Sequence, residues 1–136
     1  MTGRPGAVSG LLMLVVTVMA CGGGSTLAEL QTVKSGMLDV VLLTPHDALR
    51  HGKDDFVIEF RNASDRKLAD VGEVRATASM PMSGAPMFGS ISVQKTDVPG
   101  RYRASGEFSM AGTWRLAIEW DGPSGKGSVA FSASVQ

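Results

Sequence analysis

From Val33 to the end of the chain, apolar residues recur at every second position, a period that fits a pleated strand and not a helix. Phe56, Ile58 and Phe60 share one face, with Val57, Glu59 and Arg61 on the other. Val74, Ala76, Ala78 and Met80 alternate with Arg75, Thr77 and Ser79, and Ile91 and Val93 alternate with Ser90, Ser92 and Gln94. Tyr102, Ala104 and Phe108 alternate with Arg101, Arg103 and Glu107. Trp114, Leu116, Ile118 and Trp120 form the clearest run, and Val129, Phe131, Ala133 and Val135 close the series. Leu38, Val40 and Leu42 begin it, although Val41 and Leu43 blur their alternation. Gly and Pro punctuate the chain at Asp97–Gly100, Ala111–Gly112 and Asp121–Gly125. Seven short strands at roughly 8–12-residue spacing predict an all-β fold, an immunoglobulin-like antiparallel β-sandwich, with a partly open barrel as the alternative architecture. Thr26–Val33 is expected to hold a single helical turn.

A chain of 136 residues has room for one such domain. Its 13 Lys and Arg balance 13 Asp and Glu, so no basic field exists to attract nucleic acid. Cys21 is the only cysteine, which excludes an internal disulfide and a Cys-based zinc site. Stability therefore has to come from an apolar core.

The first 20 residues read as a leader. Arg4 precedes the apolar run Leu11–Ala20, too short to span a bilayer, which needs about 20 apolar residues. A basic start, a short apolar centre and a small residue before the cut describe a secretory signal peptide. Val18-Met19-Ala20-Cys21 resembles the bacterial lipobox, whose cysteine is lipidated and becomes the new N-terminus. Met19 stands where that pattern prefers a small residue. Gly22-Gly23-Gly24-Ser25-Thr26 has the composition of a tether, and 21–33 are assigned to lipidated Cys21 and tether, with 34–136 as the domain. Several acyl chains on one cysteine hold a protein to a membrane far more firmly than one. Gly22 after the cysteine points to outer-membrane sorting in a host that has an outer membrane.

The mature chain carries Met37, Met80, Met82, Met87 and Met110, three of them within Met80-Pro81-Met82-Ser83-Gly84-Ala85-Pro86-Met87. Thioethers are soft donors suited to Cu(I) and need no deprotonation. On spacing alone each also reads as core filler, since Met80 extends the face of Val74, Ala76 and Ala78, and Met110 that of Tyr102 and Phe108. Strand parity adds a spatial expectation. If successive strands alternate in direction, the loop Thr44–Asp54 with His46 and His51, the segment Pro81–Met87 and the Ala111-Gly112 turn fall at one end. Met80, Met82, Met87, Met110, His46 and His51 would then gather there as a tentative metal site. Pro81 and Pro86 lack an N–H and favour extended neighbours, so this segment is expected to be an exposed rim loop.

Several residues in order resemble the YtkA-like domain, related to the FixH family, over about Met37 to Val135. They are Asp54-Asp55-Phe56-Val57-Ile58, Met80-Pro81-Met82, Met87, Gly100-Arg101-Tyr102, and Phe108-Ser109-Met110-Ala111-Gly112-Thr113-Trp114. The resemblance implies an exported or membrane-anchored sandwich, set beside copper or heavy-metal efflux or oxidase-assembly components. Where many members carry a His after Met-Pro-x-Met, this chain has Ser83-Gly84-Ala85, so a mixed His/Met site would need His46 or His51. Asp47 beside His46 either orients its imidazole or, as acidic loop residues more often do, stands solvated.

Nothing in the chain forms a nucleophile with its base, a pair of tuned carboxylates or a Gly-x-Ser-x-Gly elbow, so no enzyme is expected. Asn62-Ala63-Ser64 reads as a turn between strands. Two functions follow: an envelope domain, facing the periplasm or the outside, that handles copper as Cu(I), or a metal-free interaction module of an envelope complex.

Overall fold

The computed structural model describes residues 26–136, together with Gly3. Cys21 and the rest of the leader, with the lipidation and cleavage expected there, lie outside the described residues.

Among the described residues eight strands follow in order: β1 (Ala28–Ser35), β2 (Leu38–Thr44), β3 (Gly52–Asn62), β4 (Glu73–Met80), β5 (Met87–Lys95), β6 (Arg101–Phe108), β7 (Gly112–Gly122) and β8 (Gly125–Val135). They hydrogen-bond in the order β1-β2-β3-β6-β5-β4-β7-β8, and every neighbouring pair is antiparallel. β5 makes the corner. Its first residues, Met87–Gly89, pair with β4, and Ser90–Lys95 pair with β6. The strands thus fold into two facing layers joined along one side by β5, an immunoglobulin-like sandwich, while β1 and β8 come alongside each other on the opposite side.

Alternation fills the space between the layers. Phe56, Ile58, Phe60, Tyr102, Ala104 and Phe108 come from one layer, and Val74, Trp114, Leu116, Ile118, Trp120 and Phe131 from the other. Edge-on aromatic contacts cross the gap: Phe60 to Trp120 at 5.2 Å between centroids and Phe108 to Trp114 at 5.5 Å. The blurred run in β2 is also explained. Val40 and Leu42 face the core, while Val41 and Leu43 point the other way and are buried as well, so both faces carry apolar residues over this stretch.

The count of seven strands needs correction, because β1 replaces the helical turn expected over Thr26–Val33. Residues 28–33, read as the end of the tether, pair with β2 from Ala28 opposite Thr44 to Ser35 opposite Leu38. The register slips between Glu29 and Gln31, a bulge that leaves Leu30 as an extra residue. Leu30 and Val33, the two apolar residues of β1 that pack on the core, thereby stand three apart, a helical spacing in an extended strand.

Candidate functional site

Because all neighbours run antiparallel, the loop 45–51, the loop 81–86 and the turn 109–111 lie at one end of the sandwich. The chain enters β1 there, since Ala28 pairs with Thr44 at the end of β2. The C-terminus closes there too: His51 N donates to Gln136 O at 2.7 Å, and Gln136 N to Leu49 O at 2.8 Å. The expected gathering of Met80, Met82, Met87, Met110, His46 and His51 at one rim therefore holds as topology, while their chemistry divides.

Met80 belongs to the core, with 7% of its surface exposed. A Cβ on Gly112 would lie 2.6 Å from Met80 Cε, so the bare backbone of Gly112 makes room for the thioether. Met87 stands directly across from Met80 in the β4–β5 pairing and is half-buried. Its sulfur accepts a hydrogen bond from exposed Ser109 Oγ at 2.8 Å. Met82 is 47% and Met110 39% exposed. The Met110 carbonyl accepts from Trp114 Nε1 at 3.0 Å, which fixes the turn that presents this side chain. Three thioethers, on Met82, Met87 and Met110, therefore reach the rim surface, and the Ser109 contact sets the Met87 sulfur beside the Met110 turn. Met80 is not among them.

The histidines occupy the same rim with other neighbours. Half-buried His46 donates its backbone N–H to Thr44 Oγ1 at 3.3 Å. Exposed His51 borders an open depression of about 570 Å³ with Phe88, Glu107 and Ser109, and no methionine lines it. Among the described residues, no three His, Cys, Asp or Glu side chains gather as a metal site.

Sequence reasoning missed the largest apolar group at the rim, Phe88, which is 73% exposed. Its signal was present in the phase of β5. Met87, Ile91 and Val93 share the inward parity, so Phe88 falls outward with Ser90 and Ser92.

An ion-pair cluster lies away from the rim. On the outer face of the first layer, Glu59 receives Arg61 at 2.6 Å and Arg101 at 2.7 Å. Burial pushes the Glu59 carboxyl up, but the hydrogen bonds and charges of the two arginines outweigh it and hold it below the usual value. Towards the opposite end Tyr102 donates its hydroxyl to Gly72 O at 2.7 Å. Burial, with the Asp70 carboxylate nearby, pushes the Tyr102 phenol up to about 12.

These features define a small antiparallel β-sandwich of immunoglobulin type with a sulfur-bearing, apolar rim. The YtkA-like family model matches residues 32–119, well over half of the 136-residue chain, and the chain belongs to that family. No curated protein matches it. Among solved structures, the chain is similar to the Lin-41 filamin domain at 15% identity and a TM-score of 0.46, over 65% of this chain and 81% of that one.

Proposed function

We propose that this chain is a non-enzymatic binding domain of the cell envelope, held to a membrane through lipidated Cys21, whose rim thioethers take Cu(I). The observation that carries the reading is the convergence of Met82, Met87 and Met110 from three segments onto one rim. Three soft neutral donors suit Cu(I) and leave harder ions unbound. Such a site would pass copper to or from a metal-efflux or oxidase-assembly component in the same membrane.

A titration of residues 26–136 with Cu(I) against a chromogenic chelator, with Ag(I) as a redox-inert check, tests it. One equivalent should bind with sub-micromolar affinity. Replacing Met82 and Met87 with Ala should weaken binding by at least about tenfold, roughly 1.4 kcal/mol. Met80→Ala should leave the affinity of the folded protein unchanged.

The second reading is a metal-free interaction module. It is favoured by the burial of Met80 in the core and by Phe88, which adds apolar surface and no donor. Absence of any competition for Cu(I) would select it.

A further inference from the structure

We propose that the methionine-bearing rim lies against the lipid surface to which the chain is tethered, with Phe88 and Leu27 in the headgroup region. This rests on the lipid-anchor part of the proposed function and not on copper.

Three observations point the same way. Apolar exposure is unevenly distributed: of the five large exposed apolar side chains among the described residues, Leu27 (38%), Met82 (47%), Phe88 (73%) and Met110 (39%) are at the rim, and Met37 (73%) is at the other end. A monomer that exposes such a group at one pole has a contact there, because scattered single residues would not gather.

The chain leaves the domain at the same pole. Leu27 immediately precedes β1, and Gly22, Gly23, Gly24 and Ser25 separate Cys21 from Thr26. Five residue steps reach about 18 Å when fully extended, so an anchor on Cys21 holds this pole close to the bilayer.

Charge completes the pattern. The segments 81–86 and 109–111 contain no ionisable side chain, and loop 45–51 adds one Asp and one Arg besides its two histidines. Connections at the far pole carry Asp65, Arg66, Lys67, Asp70 and Asp97. A sparsely charged apolar pole enters the interfacial region at a lower desolvation cost than the far pole. With no basic excess at the rim, zwitterionic lipid is sufficient.

The experiment uses the full chain, processed by a host that lipidates it and reconstituted into phosphatidylcholine vesicles with brominated acyl chains. Mass spectrometry of the N-terminal peptide reads the lipid on Cys21. Phe88→Trp and Met37→Trp place a reporter at two sites of equal exposure, 73% each, at opposite poles. The unsubstituted chain supplies the background from buried Trp114 and Trp120. Quenching of the reporter in F88W should exceed that in M37W by at least twofold. A lipidated chain in which the two are quenched equally overturns the docking and leaves the anchor standing, and sedimentation then tells whether a second copy covers the rim. A chain with no lipid on Cys21 overturns both.

Discussion

Met80 and Met82 stand two residues apart on opposite sides of the boundary between core and solvent. Met80 completes the inward face of β4 under Gly112, and Met82 follows Pro81 into the open loop. Their truncations should therefore separate. Met80→Ala removes buried volume and should cost about 2–5 kcal/mol in urea unfolding, whereas Met82→Ala should stay within about 0.5 kcal/mol of the parent. Equal effects of the two on stability would contradict this division. Gly127 makes the complementary case. A Cβ there would collide with the Trp120 indole, which covers the backbone of β8 at that point. Gly127→Ala should cost about 1–3 kcal/mol by displacing that ring, with a change in Trp emission as the ring becomes wetter. The glycines at Gly112 and Gly125 were legible as turns, while the role of Gly127 was not, because nothing in the one-dimensional pattern shows which ring lies across which backbone.

At the scale of elements, seven of the eight strands were legible, because their apolar residues keep period two between Gly and Pro turns. β1 was not, and its bulge is the reason: one extra residue sets Leu30 and Val33 three apart, and the flanking Gly-rich stretch suggests a tether. The strand covers the edge of β2, whose Val40, Val41, Leu42 and Leu43 are all buried. A chain starting at Gly36 would leave that apolar strand as an open edge, the arrangement that promotes edge-to-edge association. A chain starting at Thr26 should unfold cooperatively and remain monomeric by light scattering. The chain starting at Gly36 should lose several degrees of Tm and aggregate at the same concentration. If both behave alike, β1 contributes nothing to the sandwich. The site was legible to the extent that it depends on parity. The gathering of three loops at one end follows from antiparallel succession, and the omitted β1 precedes those loops without changing their relation. Side-chain depth was not legible in the same way. Met80 and Met87 share an inward parity, yet Met87 lies where β5 leaves β4 for β6, so only one of them is fully covered.

Across the whole molecule the poles and flanks divide apolar contact from charge, and that division sets how stability depends on pH. Two buried groups away from the rim titrate away from their ordinary values, in opposite regions of the scale. Glu59, held below its ordinary 4.5 by Arg61 and Arg101 against the cost of burial, stabilises the fold above that value. That stabilisation is lost as pH falls through the lower folded-state value. Glu59→Gln should flatten the acid side of the profile and cost about 1–2 kcal/mol at neutral pH, since Arg101 then loses its charge partner and Arg61 keeps only Glu29. Tyr102 works at the other side. Its phenol titrates at about 12 in the folded chain against 10.0 when unfolded, because ionisation would place a charge in the core beside Asp70. The contribution is complete below pH 10 and disappears as pH rises through about 12, an interval worth roughly 2–3 kcal/mol. Tyr102→Phe keeps the ring against Phe60 but has no proton to lose. Its urea midpoint should therefore begin lower at pH 8, through the lost bond to Gly72, and fall less steeply than the parent's between pH 10 and 12. Parallel curves over that interval would mean that Tyr102 ionises freely in the folded state, and that the contact between its hydroxyl and the loop before β4 opens without cost to the sandwich.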